Sequence, residues 1–572
     1  MLLKQDASIE KLNGRYFTPN LISDFVTEWV LAQEGEIKNI LEPSVGEGVF
    51  LSSAIKFDKV SESNIIAVEI DEDTSKEASA KNDFIHFPDW KSFGDLTDNI
   101  EPKRVVVNDD FYYAYKNGLD KLKFQGILGN PPYIRYQYLT EEQRAEQSEI
   151  LINNSMKPNK LINAWVSFTV ACISCMDDSS RIGIVIPAEL LQVKYSQDLR
   201  RYLVRELNRC TIVTFENLVF DDIEQEVVLL LGEKIAGDQQ NLIKIVPFNN
   251  AESLDVNILE EIEFIGADLG SSKWTKFFLD NSQIDILKKI KSSNKFLKFS
   301  QIAKCEVGIT TGNNKYFCLD DETVKKYNLE KYCRPLIARS VNINGVQFLP
   351  EDWNENILKG ARTYLLDLSP FESRDFNDGL NKYIKLGEEN KHNTSYKTRI
   401  REEWYKVPSV WSPDIFFLRR NYQFPKVMLN TSEVDAVSTD TMHRVRLKNP
   451  QHKKRLIVAY YTTVGLLFSE LEGRSYGGGV LEILPSEVSN IQLPNIFEND
   501  ILSEEEVDKL FDKIDNHIRI NGNDNIEMLL DMVDSEVLIN KLKISKEEVT
   551  NMREAWHTLK NRRLGRGRNN LD

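Results

Sequence analysis

Short apolar runs alternate with helical segments through roughly the first 230 residues of the chain. The runs are rich in Val, Ile and Leu, which is typical of strands buried inside a sheet. They predict strands at Ile37–Glu42, Asn64–Ile70, Lys103–Val107, Gly126–Leu128, Arg181–Ile186, Cys210–Phe215 and Val227–Leu231. Helical patterns follow most of these strands, for example at Ala164–Met176 and Ser196–Glu206. The alternation predicts an α/β fold with a Rossmann-like, doubly wound sheet, which binds ligands at the carboxyl ends of its strands.

The pattern changes near residue 250, where the alternation of strands and helices ends. Asp280–Lys291 is predicted as a connecting helix, and Leu456–Glu472 as a helix that precedes the triplet Gly477–Gly479. Aromatic and turn-rich segments predominate elsewhere in this half. Because 572 residues are too many for one hydrophobic core, we expect three parts. These are a first domain over residues 1–250, a connecting segment over 251–295 and an α+β domain over 296–572.

The composition is that of a globular protein, with 41% hydrophobic and 28% charged residues. No apolar run approaches the roughly 18 residues of a membrane span, and the first residues do not resemble a signal peptide. Six cysteines in so long a chain predict no disulfide framework. Cys172 and Cys175 lie in an apolar helical stretch, where buried thiols are expected rather than zinc ligands. We therefore expect a cytoplasmic protein with no membrane partner and no metal site.

A basic stretch interrupts the acidic background of the chain. The formal net charge is −16, yet residues 391–455 contain 14 Lys and Arg against 6 Asp and Glu. Aromatic residues are mixed into this stretch: Tyr396, Trp404, Tyr405, Trp411, Phe416, Phe417, Tyr422 and Phe424. Cations interleaved with rings suit a nucleic-acid surface better than a merely solvated face. The tail from Arg562 to Arg568 is also basic, and we expect it to be disordered.

A glycine-containing turn, LEPSVGEGVF, follows the first predicted strand. Gly46 and Gly48 allow a tight turn and a close approach of the backbone to a ligand. Two acidic strand ends follow. Glu69 is suited to accept hydrogen bonds from ribose hydroxyls. Either of the adjacent Asp109 and Asp110 is suited to bind the amino group of adenine beneath the ring of Phe111, and Asp110 is preferred because Phe111 follows it. The alternatives are a structural turn, a surface carboxylate and a helix N-cap.

The segment Asn130-Pro131-Pro132-Tyr133 ends the fourth predicted strand abruptly. Two prolines donate no backbone hydrogen bonds, so the strand ladder stops and a rigid loop begins. The loop carries a side-chain amide, backbone carbonyls and an aromatic ring. An amino group on a planar base needs acceptors for its two N–H bonds and a ring to stack on. A Pro-Pro turn with a packed surface tyrosine is the alternative.

Taken in chain order, these motifs resemble the adenine-N6 DNA methyltransferases of type II restriction–modification systems, which use S-adenosylmethionine. Four further segments match motifs of that family: Gly14–Pro19, Asn163–Phe168, Ile182–Pro187 and Leu218–Asp221. The cofactor motif comes first and a long variable domain last, which is the order of the gamma class. The resemblance is strong over residues 14–232 and weaker beyond them.

The resemblance implies a set of cofactor-binding and catalytic residues. The expected S-adenosylmethionine-binding residues are Thr18, Glu42, Pro43, Ser44, Gly46, Gly48, Glu69, Ile70, Asp110, Phe111 and Asn130. The expected catalytic residues are Asn130, Pro131, Pro132, Tyr133 and Phe220. The Asn130 side-chain oxygen and the Pro131 carbonyl would accept the two amino hydrogens, and the rings of Tyr133 and Phe220 would stack on a flipped-out base.

The resemblance also implies partners and a role for each domain. Residues 1–250 would catalyse methyl transfer, and residues 296–572 would recognise the target in double-stranded DNA. Candidate DNA contacts are Arg399, Arg401, Arg419, Arg420, Arg444 and Arg446. A monomer is expected, with the cognate restriction endonuclease as a separate protein. Amino-cytosine, RNA and protein-glutamine methylation are alternatives, as is a non-catalytic specificity subunit.

Overall fold

The computed structural model describes residues 18–565, except 97–102, 218, 220–225, 239, 268–272, 499 and 523. The chain forms two compact units, of which the first ends at Phe278 and the second begins at Leu279. This division falls inside the segment 251–295. In the described ranges, no helix combines the length and apolarity that crossing a membrane would require.

A ten-stranded sheet forms the centre of the first unit. Its strands are β1 Asn39–Glu42, β2 Asn64–Glu69, β3 Ile85–Phe87, β4 Arg104–Asn108, β5 Phe124–Gly129, β6 Met176–Pro187, β7 Arg209–Phe215, β8 Val227–Lys234, β9 Leu242–Phe248 and β10 Ile265–Gly266. The seven predicted strands are confirmed. The prediction missed β3 and β10 because they are very short. It missed β9 because this strand contains Lys244 and Pro247, and both residue types are uncommon inside a strand.

The strand order identifies where this sheet opens to a ligand. The order is β10-β9-β7-β8-β6-β5-β1-β2-β4-β3. The six strands from β6 to β3 in this order are parallel to their neighbours, and β8 runs antiparallel between β6 and β7. From β1 the chain proceeds first towards β2 and later returns to β5 on the other side. A crevice opens at such a switch point, beyond the carboxyl ends of the strands, and the doubly wound prediction is confirmed.

Helices cover the sheet of the first unit. They are α1 Asn20–Leu31, α2 Val49–Ala54, α3 Glu72–Asn82, α4 Trp90–Leu96, α5 Phe111–Lys116, α6 Glu141–Asn153, α7 Ala164–Ser174, α8 Glu189–Gln192, α9 Gln197–Glu206 and α10 Ile258–Glu261. A Cβ on Gly183 of β6 would lie 2.5 Å from Val26 of α1, so the glycine lets this helix pack closely on the sheet. Cys172 and Cys175 are buried free thiols, as predicted, and burial raises the pKa of each.

The second unit combines short, mainly antiparallel strands with helices, which confirms the α+β prediction. Its strands are β11 Phe296–Lys298, β12 Ala303–Val307, β13 Cys318–Leu319, β14 Cys333–Ile337, β15 Gln347–Phe348, β16 Tyr364–Leu366, β17 Ile415–Leu418, β18 Arg420–Asn421, β19 Val427–Asn430, β20 Val437–Ser438, β21 Met442–Leu447, β22 Arg474–Tyr476, β23 Val480–Glu482 and β24 Gln492–Pro494. They form the sheets β12-β21-β17-β19-β15, β13-β16-β14-β20, β18-β23-β22 and β11-β24.

The helices of the second unit include a long C-terminal series. They are α11 Asn281–Ser292, α12 Phe299–Ile302, α13 Asn314–Phe317, α14 Asp321–Tyr327, α15 Pro350–Leu358, α16 Asp378–Glu389, α17 Tyr396–Arg399, α18 Lys453–Tyr460, α19 Thr463–Glu472, α20 Pro485–Val488, α21 Glu504–Asn521, α22 Ile526–Asp534 and α23 Lys546–Gly565. The connecting helix predicted at Asp280–Lys291 is confirmed as α11.

Two predictions in this unit are wrong. The single helix expected over Leu456–Glu472 is two helices, because Thr462 caps α19 and Gly465 approaches the Tyr460 carbonyl so closely that a Cβ would lie 2.2 Å from it. The basic tail begins inside α23, where Arg563 is buried and forms an ion pair of 2.6 Å with Glu470. The remainder of the tail lies outside the described residues.

Candidate cofactor and catalytic site

A cavity of about 560 Å³ opens in the first unit at the carboxyl ends of β1, β2, β4 and β5. Ten of the residues predicted from the sequence line it: Thr18, Pro43, Ser44, Gly46, Glu69, Ile70, Asp110, Phe111, Asn130 and Pro132. They come from motifs scattered over more than 110 positions of the chain. The parallel strands bring these motifs to one edge of the sheet.

The glycine turn after β1 forms one wall of this cavity, and Glu69 holds it in place. Gly46 has a φ of +54°, in the left-handed region that favours glycine. Its N–H donates to Glu69 Oε2 over 3.0 Å, while the Asp71 N–H donates to Glu69 Oε1 over 3.1 Å. Gly48 faces away from the cavity, since a Cβ there would lie 2.6 Å from Asn82 Nδ2 on α3. Gly48 thus serves the packing of α2 on α3.

Glu42, at the end of β1, lies behind the cavity wall rather than on it. Only 1% of the residue is exposed, and no described residue forms a hydrogen bond with either carboxylate oxygen. Burial, and then the nearby Glu69 carboxylate, raise the pKa of Glu42 well above its ordinary value. The side chain therefore favours its protonated, uncharged form.

The Asn130–Tyr133 loop is hydrogen-bonded to the predicted cofactor residues. Asn130 Nδ2 donates to Thr18 Oγ1 over 3.1 Å, and the Asn130 carbonyl accepts from Ser44 Oγ over 3.0 Å. Pro131 is buried, and the Tyr133 hydroxyl donates to the Val185 carbonyl on β6 over 3.1 Å. The loop is therefore held from three directions. Phe220, the predicted second stacking ring, lies outside the described residues.

Asp110, at the end of β4, has two partners within the protein. It caps α5 by accepting from the Tyr112 N–H over 2.7 Å, and its other oxygen accepts from Gln143 Nε2 over 2.7 Å. The N-cap alternative is therefore real, although Asp110 also lines the cavity. The adjacent Asp109 instead accepts from the backbone N–H groups of Trp90 and Asp110.

Several cavity residues were missed by sequence reasoning. Phe168 of α7 stacks on Phe111, with ring centroids 4.6 Å apart and 26° between planes. Tyr138, Leu139 and Gln143 add a wall that follows the Asn130–Tyr133 loop in the chain. A capping box marks the start of α6 in the sequence, but nothing in it indicates that its glutamine reaches Asp110.

The six arginines predicted to contact DNA separate into internal and exposed residues. Arg444 is only 5% exposed and donates to the carbonyls of Val307 and Ser409, so it is a structural residue of the second unit. Arg401 donates to the backbone carbonyls of Thr310, Thr311 and Trp404. The remaining arginines lie nearer the surface: Arg419 and Arg420, both paired with Glu482, and the exposed Arg399 and Arg446.

The aromatic residues of the basic stretch divide in the same way. Phe416, Phe417 and Phe424 are core residues, which corrects their placement on a nucleic-acid surface. Tyr396 and Tyr422 are exposed. Counting rings and charges along the chain could not separate these two groups, because Phe416 and Phe417 lie in a strand that is buried at every position, whereas Tyr396 begins a short surface helix.

Two family models match the chain. The family described as N-6 DNA Methylase matches residues 1–263, and the C-terminal domain of type II methyltransferase M.Eco57I matches residues 271–538. The chain therefore combines an N-6 DNA methylase domain with a C-terminal domain of the M.Eco57I type. It is a site-specific adenine DNA methyltransferase of the restriction–modification type.

Individual relatives match over most of the length of this methyltransferase. Type II methyltransferase M.AccI from Acinetobacter calcoaceticus is 26% identical over 501 residues, which is 83% of this chain and 84% of the relative. M.HindII from Haemophilus influenzae is 28% identical over 370 residues, 60% of this chain and 64% of the relative. Among solved structures, the type IIL restriction–modification enzyme MmeI in complex with DNA superposes with a TM-score of 0.53. That match has 12% identity and covers 92% of this chain and 73% of that one, which shows the same fold.

Proposed function

We propose that this enzyme uses S-adenosylmethionine to methylate the N6 amino group of a flipped-out adenine in one specific sequence of duplex DNA. The observation that carries the proposal is the pair of hydrogen bonds that join Asn130 to Thr18 and Ser44 on the cavity wall. They fix an amide acceptor beside a cavity of cofactor size. The methylation would protect host DNA from a restriction endonuclease that is a separate protein, and we expect the methyltransferase to act as a monomer.

The residues of the cavity fit S-adenosylmethionine. About 560 Å³ lies within the range of roughly 300–1,000 Å³ that is usual for small-molecule sites. Ile70, which is 59% exposed, presents an apolar side chain at the cavity, as does Phe111. Such surfaces suit an adenine ring. The carboxylates of Glu69 and Asp110 would accept hydrogen bonds from the ribose hydroxyls and from the adenine amino group.

S-adenosylmethionine supplies, when bound, a methyl group on a positively charged sulfur, which makes that methyl strongly electrophilic. The protein must therefore improve the nucleophile. The lone pair of the adenine amino nitrogen is delocalised into the ring. The Asn130 side-chain oxygen and the Pro131 carbonyl would accept hydrogen bonds from the two N–H groups of this nitrogen. These bonds would localise the lone pair on the nitrogen and stabilise the positive charge that develops there.

Thr18 orients the acceptor in this mechanism. The Asn130 amide nitrogen faces Thr18 and donates to its Oγ1. This orientation makes the side-chain oxygen the acceptor for the base. The bond from Ser44 to the Asn130 carbonyl holds the backbone of the same residue. Tyr133 would cover one face of the base, and base–aromatic stacking contributes about 1–3 kcal/mol. No covalent enzyme intermediate is required.

The decisive variant is Asn130→Ala. We expect it to keep its affinity for S-adenosylmethionine and DNA but to lose methyl transfer by about a hundredfold or more, because a preorganised polar contact to the reacting group is absent. Single-turnover transfer of a labelled methyl group, together with calorimetric binding of the cofactor, measures both quantities. Asn154→Ala, at the end of α6, is the control.

Near-normal single-turnover rates for Asn130→Ala would refute the mechanism. Nucleoside analysis of the methylated DNA reports the modified base directly, and N4-methylcytosine in place of N6-methyladenine would overturn the assignment of the substrate. Sequencing that detects modified bases, on DNA from cells that express the protein, would identify the recognition sequence.

A further inference from the structure

A surface loop that other segments hold by hydrogen bonds follows β12 in the second unit. Residues 310–313 form this loop, and Gly312 at its tip has a φ of +80°. A Cβ on Gly312 would lie 2.7 Å from the Cβ of Lys397, so the loop packs directly on α17. Glycine is required here both by the backbone conformation and by this close approach.

Side chains from the α17 region hold the loop in position. Arg401 Nη2 donates to the carbonyls of Thr310 and Thr311 over 3.1 and 2.8 Å. The Ser395 hydroxyl donates to the Gly312 carbonyl over 3.2 Å. Arg401 was predicted to contact DNA, but these contacts make it a support for the loop, and burial lowers the pKa of its guanidinium.

Cations surround this loop and face solvent. Lys315, Arg362, Lys391, Lys397 and Arg399 are all exposed, and none of them forms an ion pair with a described residue, whereas Lys406 of the same stretch is paired with Glu403. Arg362 donates to the backbone carbonyl of Asn314, which places it at the loop. We call these five residues the loop cation cluster.

We propose that the loop cation cluster binds the phosphate backbone of duplex DNA during target recognition. The proposal rests on the function proposed above and adds the surface that contacts the substrate. A chain of net charge −16 repels DNA at long range, so binding requires a local concentration of unpaired cations. Paired cations such as Arg420 and Lys406 would have to lose a protein partner first.

Exposed apolar side chains beside the loop cation cluster support DNA as the partner. Tyr396 and Ile400 are 65% and 60% exposed, at the two ends of α17. Positive charges that track a phosphate backbone, interleaved with rings and aliphatic groups that contact sugars and bases, are typical of nucleic-acid surfaces. The nearby Glu388 carboxylate is engaged by the Trp404 indole N–H over 3.1 Å.

The double variant Lys397→Ala with Arg399→Ala tests the proposal in the full-length protein. Both side chains are exposed, and alanine retains the Cβ of Lys397 that packs on Gly312. We expect weaker binding to duplex DNA and a salt dependence, as the slope of log K against log salt, that is shallower by about 0.9 for each lost phosphate contact. S-adenosylmethionine binding should be unchanged. The control is Lys513→Ala with Lys546→Ala, which removes two exposed lysines elsewhere in the same unit.

A wild-type slope and affinity in the double variant would overturn the proposal, as would an equal loss in the control. Lys315→Ala provides an independent variant from the other side of the loop and should also reduce the slope. If the wild-type protein methylates DNA but these variants bind it normally, only the cluster assignment fails. If the wild-type protein neither binds nor methylates duplex DNA, the proposed function itself fails.

Discussion

At the scale of single residues, Asp110 shows how one carboxylate serves both the fold and the cavity. One oxygen caps α5, and the other accepts from Gln143. A carboxylate oxygen has room for a second donor, so a cofactor amino group can bind beside the glutamine. We propose that Gln143 acts as a positioning residue, because it donates to Asp110 and lines the cavity together with Tyr138 and Leu139.

Gln143→Ala should weaken S-adenosylmethionine binding by about tenfold, since a hydrogen bond to a charged group contributes about 1.5–3 kcal/mol. Gln143→Glu should be worse, because it places a like charge against Asp110. Calorimetric titration of the cofactor into each variant measures the effect. Gln137→Ala, an exposed position on the same segment, is the control, and a wild-type Kd in Gln143→Ala would exclude this positioning role.

Glu42→Gln should change how stability depends on pH. The pKa of Glu42 is raised above its ordinary value of 4.5 by burial and by Glu69. The folded state therefore binds this proton more tightly than the unfolded chain. The contribution of Glu42 to the free energy of unfolding is fully present below about pH 4.5, and it falls by up to about 1.4 kcal/mol per pH unit as pH rises towards the raised pKa.

Glutamine cannot ionise, so the variant should gain stability relative to wild type as pH increases above 4.5 towards the raised pKa of Glu42. Urea unfolding at several pH values gives this difference directly. Glu62→Gln, an exposed carboxyl in the same unit, should follow the wild-type curve. A constant difference between Glu42→Gln and wild type across this range would mean that Glu42 is ionised in the folded protein.

At the scale of elements, the junction between β5 and the Asn130–Tyr133 loop depends on Gly129. Its φ is +155°, and a Cβ there would lie 3.1 Å from Pro43 Cδ in the glycine turn. The absence of a side chain allows the end of β5 to lie against the turn after β1. The two motifs that the mechanism requires are thereby brought together.

Gly129→Ala should destabilise the protein by about 1–3 kcal/mol, because alanine is strained in this conformation, and it should also reduce the rate of methyl transfer by displacing Asn130. Thermal unfolding and single-turnover kinetics measure the two effects. Gly94→Ala in α4 is the matched control, because a Cβ there meets nothing within 4 Å. Equal melting temperatures for the two variants would contradict this explanation.

Sequence patterns predicted the elements well where burial alone determines them. The strands β1, β2 and β4 have buried apolar centres between polar end residues, and each was predicted within two residues at either end. The break between α18 and α19 was missed because the residues at the break, Tyr461 and Thr462, are compatible with a helix. The close local approach of Gly465 to the Tyr460 carbonyl marks where the chain turns.

At the scale of the whole molecule, chain order identified the catalytic unit more reliably than charge identified the DNA surface. The motif order could be recognised because parallel strands end at one edge of the sheet, which brings residues such as Ser44, Glu69 and Asn130 together. No comparable rule relates the charged residues along a sequence to their positions on the folded surface. Arg444 and Arg399 look equivalent in the sequence, yet one is buried against carbonyls and the other is exposed.

The buried ion pair between Arg563 and Glu470 sets a limit on how far the chain can be shortened. Arg563 also donates to the carbonyls of Tyr422 and Gly479, each over 2.5 Å. A stop codon placed before position 563 would leave the Glu470 carboxylate buried without its partner, and breaking such a pair costs about 3–5 kcal/mol. Purification tags therefore belong after residue 565, and C-terminal deletions should preserve α23 in full.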